Sequence, residues 1–370
     1  MRQLLHAWYL QLVDELAANY LLHQFLWYRR RPPARGPRLH DFPALFSGEL
    51  ETFYAPGPSP VDLDALKTRD HETAHAVVGD YRFISETTTG WPDSDLVWGR
   101  HWQSKHPDRR LTVVGVDGIV QFGNRWFRRL AALLNPRGID VMTMDVPFNF
   151  RRTPRGFRPG QLIVGGDMGH QLSVSRQAVL DLWRVVLSLQ RAGRRVGLVG
   201  VSYGGWLSLM TSLLADDLEF VIALVPPVDI VGMLRAGGTI VRAVRRGLGR
   251  ESLDKPEFER VARPVIPGCW PNKLTGSRIS LHAARYDRLA PCHAIESLAN
   301  RWKTKFTVHP LAHFHLANSA RVFPEIADEV CEFAAKFPGA PLLAGSAKNV
   351  QDGPAGPSRV PSGPTGPSGR

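Results

Sequence analysis

Residues 195–210 read RVGLVGVSYGGWLSLM, and one serine in that stretch, Ser202, has surroundings that suit a nucleophile. It stands in Gly200-Val201-Ser202-Tyr203-Gly204, a G-x-S-x-G spacing placed where an aliphatic strand gives way to a helix-like pattern. A serine whose hydroxyl must point clear of the backbone needs a turn too sharp for neighbouring Cβ atoms, and the glycines allow it. The helix starting beside it adds positive dipole potential where an oxyanion would form. A hydroxyl is a weak nucleophile until a general base lies within hydrogen-bond reach. Strand before and helix after make the motif specific; the alternative is a tight glycine turn in a Rossmann-like sheet. A phosphate-binding loop needs Gly-Lys-Ser/Thr and a dinucleotide fold needs G-x-G-x-x-G, and the chain has neither. Cys269, Cys292 and Cys331 show no C-x-x-C spacing, which argues against a zinc site or a disulfide framework and fits a reducing cytoplasm.

Alternating elements must hold that serine. YRFISET and LVWGRHW read as an antiparallel lead-in joined through TGWPDSD. LTVVGVD is a buried strand, followed by a helix over NRWFRRLAALLNPRG that Gly138 closes. The strand DVMTMDVP, an irregular FNFRRTPRGFRPG and a long helix at 171–192 come next, with Leu172, Val179, Leu182, Trp183, Val186 and Leu189 on one face. After the serine motif the pattern runs EFVIALVP, a helical insertion at 231–262, RISLHAARYD, a helix near 292–302, KFTVHP and a final helix at 319–336. Aliphatic strands alternating with amphipathic helices predict an α/β chain with a mostly parallel sheet covered on both faces.

The 370 residues carry a formal charge of +12, but the excess is scattered arginine with no basic run interleaved with aromatics, so no nucleic-acid partner is expected. At the start, Leu5, Trp8, Leu12, Leu16 and Tyr20 recur at helical spacing. Asp14 and Glu15 interrupt this segment, which is neither a signal peptide nor a membrane span. Docking of this amphipathic helix on the main domain is the expectation; weak association with a membrane surface or anionic lipid is the alternative. Residues 1–75 are read as this helix plus a Pro-rich connector, 76–338 as the main domain with an insertion at about 231–270, and 339–370 as a disordered Pro/Gly/Ser-rich tail. The sequence leaves the oligomeric state open.

Across roughly residues 80–337 the sequence resembles the α/β-hydrolase superfamily: a G-x-S-x-G elbow, then Asp, then His, each at the end of a later strand. The hairpin lead-in and FNFRRTPRG look like a bacterial branch related to α/β-hydrolase domain-containing protein 18. The resemblance implies an α/β-hydrolase fold with a helical lid, Ser202 as nucleophile, Asp287 in RYDRLAP as acid and His313 in HPLAHFHLAN as base. Asp229, in LVPPVDI, is a second position for the acid, unless it caps the insertion helix. His315 competes with His313, and His309 is expected to be structural. The oxyanion hole would use the backbone N–H groups of Tyr203 and Ile119. Asp117-Gly118 stands where the superfamily commonly has His-Gly, and Arg151 or Arg152 is expected to pair with that carboxylate. In the insertion, Val241, Val244 and Leu248 share one face, and Arg242, Arg245 and Arg246 the other. A serine hydrolase acting on a small acyl ester, with no metal or organic cofactor, is the leading reading; an acyltransferase or a non-catalytic binding protein are the alternatives.

Overall fold

The computed structural model describes residues 2–26, 36, 49–106, 110–119, 123–236, 241, 244–245 and 255–337. The predicted tail at 339–370, most of the connector between 27 and 48, and Arg242, Arg246 and Leu248 of the insertion lie outside them. A first compact unit spans Met1–Pro338.

Nine strands form one sheet in the order β1-β2-β3-β5-β4-β6-β7-β8-β9. They are β1 (Lys67–Glu72), β2 (Ala76–Ile84), β3 (Leu96–Ser104), β4 (Leu111–Val116), β5 (Asp140–Met144), β6 (Arg195–Val201), β7 (Leu218–Leu224), β8 (Ile279–Ala284) and β9 (Lys305–His309). The first three strands and the β3–β5 pair are antiparallel. From β5 to β9 all pairings are parallel. Every residue of β4, β5, β7 and β8 is buried, as strands covered on both faces require.

Twelve helices are used below: α1 (Arg2–Leu26), α2 (Leu50–Tyr54), α3 (Pro92–Asp95), α4 (Arg125–Leu134), α5 (Gln161–Gly165), α6 (Met168–Arg191), α7 (Tyr203–Ser212), α8 (Ile230–Ala236), α9 (Lys255–Ala262), α10 (Cys292–Trp302), α11 (His313–Asn318) and α12 (Val322–Lys336). Trp126 of α4 packs on Phe323 of α12 with ring centroids 4.7 Å apart. Helix α7 lies against α6, β6 and β7. The chain lays β5 on one side of β4 and then returns to lay β6 on the other. That reversal opens a crevice at the carboxyl ends of β4 and β6, the usual ligand position in open α/β sheets.

Three local expectations change. The connector contributes β1, whose sequence KTRDHE has no apolar alternation because the strand is an exposed, charged sheet edge. An additional short helix, α5, follows the irregular stretch, and another, α11, precedes the predicted last helix, which is α12. The described part of the insertion is helical as expected, with α8 and α9, and short 3₁₀ turns follow α9. The third concerns α1, which docks on the domain through Leu10, Asp14 and Ala18, all buried. Trp8, Leu12, Leu16 and Tyr20, the stripe that the spacing picks out, are 63%, 39%, 58% and 64% exposed. The helix is turned by Asp14, which finds two backbone N–H donors on α11 and would lose them if the apolar stripe faced inward. Among the described residues, no helix is long and apolar enough to cross a membrane.

Candidate active site

Ser202 sits between β6 and α7 with φ 54° and ψ −120°, a conformation that costs energy for a residue with a side chain. Its N–H donates to the Leu224 carbonyl at 2.8 Å, and its own carbonyl accepts from Trp206 at 3.0 Å, so the turn is tied to β7 and to its helix. A Cβ on Gly200 would lie 2.2 Å from the Gly204 carbonyl oxygen, and one on Gly204 would lie 2.0 Å from that of Val116. Gly200 is therefore required by the backbone at the start of α7, and Gly204 by the backbone at the end of β4. The same tight packing brings the segment after β4 to the serine, with Gly118 next to the Ser202 side chain. Asn149 donates its Nδ2 to the Gly118 carbonyl at 3.0 Å and fixes that segment from the loop after β5.

His313, the first residue of α11, places Nε2 2.9 Å from Ser202 Oγ. Its Nδ1 lies 2.7 Å from Oδ2 of Asp287, on the loop after β8. The second oxygen of Asp287 accepts from the N–H groups of Leu289 and Ala290, both at 2.8 Å. Ionised, this carboxylate orients the imidazole so that Nδ1 carries the proton and Nε2 is free to accept one from the serine. Burial alone would push the His313 pKa down, but the Asp287 carboxylate and, behind it, that of Asp14 hold it above the ordinary histidine value.

The competing residues lie elsewhere. Asp229 caps α8, accepting from Gly232 N–H at 2.8 Å. His315 faces Asp14, with Nδ1 3.6 Å from Oδ1. His309 belongs to a buried chain in which His282 Nδ1 lies 3.0 Å from His309 Nε2 and His282 Nε2 lies 2.9 Å from Glu329.

Tyr203 and Ile119 both line the cavity that contains Ser202 and His313. Among the described residues, the N–H of neither has a hydrogen-bond partner. Asp117 corrects an expectation. Arg151 donates instead to Asp145 at 2.7 Å and pairs with Asp80 at 3.0 Å. Arg152 is fully buried against Asp181 at 2.8 Å and the Ser94 carbonyl at 2.6 Å. Both guanidiniums are committed to other carboxylates. Asp117 keeps Oδ1 enclosed without a hydrogen bond. Burial, aided by the neighbouring charge of Asp145, raises its pKa well above the carboxylate range, which favours the neutral acid.

Asp14 is a residue the sequence reading did not place near the site. Its two oxygens accept from the backbone N–H groups of His313 at 2.6 Å and Phe314 at 3.1 Å. The available signal was its position: Asp14 lies four residues after Leu10 and four before Ala18, on a face of α1 outside the apolar stripe.

Sheet order, strand–turn–helix elbow and flanking helices define an α/β-hydrolase fold, and solved structures share it. An acetyl xylan esterase from a Thermoanaerobacterium species aligns with TM-score 0.55 and 15% identity, covering 82% of this chain and 100% of that one. A second acetyl xylan esterase, from a Paenibacillus species, gives TM-score 0.54 and 16% identity, covering 78% of this chain and 99% of the other. The acylaminoacyl peptidase of Pyrococcus horikoshii gives TM-score 0.50 and 14% identity over 71% of this chain and 42% of its own. No family model matches the sequence, and no curated protein matches it.

Proposed function

We propose that this chain is a serine hydrolase that cleaves carboxylic esters through an acyl-enzyme. One observation carries the reading: the unbroken hydrogen-bond path from Ser202 Oγ through His313 to Asp287, buried at the imidazole and the acid. Ser202 Oγ attacks the ester carbonyl while His313 Nε2 takes its proton. Asp287 holds the tautomer and stabilises the imidazolium. The N–H groups of Tyr203 and Ile119 receive the oxyanion, and His313 then protonates the departing alcohol. Water, activated by the same imidazole, releases the acid. No step calls on a metal or organic cofactor.

The fold supports this chemistry without fixing the substrate: its solved neighbours are, by name, esterases of acetylated xylan and a peptidase. Asp117 is compatible with it as well, since a protonated carboxyl does not repel a developing oxyanion. Assignment to the branch related to α/β-hydrolase domain-containing protein 18 belongs to the same proposal, supported by the β2–β3 hairpin and residues 148–156. The test is labelling with a fluorophosphonate probe and mapping of the adduct. Modification at Ser202, lost on denaturation, is expected; an unlabelled folded protein that also fails to hydrolyse activated esters would refute the reading. Product analysis with added alcohol separates hydrolysis from transfer to an alcohol acceptor.

A further inference from the structure

The cavity beside Ser202 has a volume of about 190 Å³. Ile163, Met168 and Leu172 line it from α5 and α6, and Met233, Phe258 and Val265 from α8, α9 and the turn that follows. Apart from the reacting groups, the polar side chains lining it among the described residues are Gln171, Ser175, the Tyr203 hydroxyl and the Trp206 indole, which donates to the Val265 carbonyl. The Gln171 amide donates to the Ile163 carbonyl, and the Tyr203 hydroxyl is enclosed without a hydrogen-bond partner. Among the described residues, no charged side chain other than His313 lines the cavity. An occupant rich in hydroxyls would leave most of them buried and unpaired against this mainly apolar wall, and an anionic one would meet no counter-charge among the described residues.

We infer that this slot takes the aliphatic acyl chain of a neutral ester, making the protein selective for medium-length acyl groups over acetyl. The inference rests on the hydrolase reading and deepens it. At roughly the ~30 Å³ that a water molecule claims in the liquid, the cavity holds on the order of six non-hydrogen atoms. Each buried methylene then raises kcat/KM by about fourfold until the slot is full.

The test is a p-nitrophenyl ester series from acetyl to palmitoyl, run beside a series of acetate esters whose alcohol chain is lengthened. kcat/KM should climb steeply to hexanoyl or octanoyl and then level off, with little response to the alcohol. Ser175→Leu, which fills the slot, should shorten the preferred acyl chain by two or more carbons, and Met233→Ala should lengthen it. A preference for acetyl, or a dependence on the alcohol chain instead, overturns the assignment. Fluorophosphonate labelling at Ser202 keeps the two failures apart: labelling with an acetyl preference sinks only the slot, whereas no labelling and no hydrolysis sink the hydrolase reading.

The hydrogen bonds from α11 to α1 support a second assignment, resting on the same catalytic reading. We infer that Asp14 is a positioning residue for His313. It grips the histidine by its own N–H and by that of the next residue, from an element 299 positions away in the chain. Among the described residues, the charged groups acting on the imidazole are Asp287 and Asp14, and His315 lies 3.6 Å from Asp14. Asp14→Ala should lower kcat at least tenfold with KM within threefold of wild type. Asp14→Asn keeps an acceptor but removes the charge, so it should retain more of kcat while the acid limb of kcat/KM moves to lower pH. A merely structural contact would not move that limb. Wild-type kcat and an unmoved limb in the folded Asn variant overturn the assignment, whether or not the Ala variant folds.

Discussion

Replacing Gly204 by alanine puts one methyl group into the tightest contact of the site. The added Cβ would lie 2.0 Å from the Val116 carbonyl oxygen, 2.5 Å from its carbon and 2.7 Å from the Asp117 carbonyl oxygen. All three are backbone atoms, so no side chain can rotate away. Relief to an ordinary contact of about 3.4 Å requires more than an ångström of separation between α7 and the end of β4. β4 is held on both sides by β5 and β6, so α7 must give, taking the Ser202 turn and the Tyr203 N–H with it. Overpacking of this kind costs about 1–3 kcal/mol or more, against a helix-propensity gain of at most ~1 kcal/mol for Gly→Ala. A catalytic group misplaced by about 1 Å costs on the order of 10²-fold in rate. Gly204→Ala should therefore lower kcat/KM by about 100-fold and depress Tm, read on an activated ester and by thermal unfolding. Gly205→Ala is the matched control: its Cβ would sit 3.2 Å from the Gly200 and Leu224 carbonyl oxygens, which needs only a few tenths of an ångström. Its activity should stay within about fivefold of wild type. Equal damage from the two alanines, or wild-type turnover in Gly204→Ala, would show that close approach of α7 to β4 does not set the geometry of the site.

Ser202→Ala should cost about 10⁴-fold or more in kcat and abolish probe labelling while Tm stays nearly unchanged; labelling at the wild-type rate contradicts the nucleophile assignment. Asp287→Asn should reduce turnover on the order of 10⁴-fold, because Nδ1 loses its acceptor, whereas Asp229→Asn should affect only the cap of α8 and change kcat less than about threefold. Reversal of that order moves the acid to Asp229. kcat/KM should rise with pH through a midpoint above the ordinary histidine value, since attack needs neutral His313 and its neighbours favour the charged form; a midpoint below that value contradicts the electrostatics. Asp117→Asn should change kcat by less than about tenfold. Because burial raises the Asp117 pKa in the folded state, wild-type stability falls as pH rises from the unfolded carboxylate value towards the raised one, so the Asn variant should gain Tm relative to wild type across that range. Parallel Tm profiles for the two proteins would exclude a raised Asp117.

The parallel strands were legible because each is an aliphatic run bounded by turn residues; Ser202, Asp287 and His313 stood out as candidates because each follows such a run, and the structure brings the three within hydrogen-bond reach. Local pattern carries that much. It did not reveal β1, whose exposed edge needs no apolar residues. Nor did it orient α1: periodicity finds the apolar stripe of Trp8, Leu12, Leu16 and Tyr20, but which face docks was decided by donors on α11, almost 300 residues later. The partner of Asp117 failed for a similar reason. Arg151 and Arg152 follow β5 near the site, yet Asp80 on β2, Asp145 just past β5 and Asp181 on α6 hold them instead.

The contact between Asp14 and His313 also sets a timetable. A ribosome adding ~5–20 residues per second releases the start of α1 roughly 15–60 s before the histidine it must grip. Until then the carboxylate has no N–H partners, and the serine, already translated, has no base. On the hydrolase reading, the newborn chain is thus inert towards esters until His313 has emerged and α1 has closed on it.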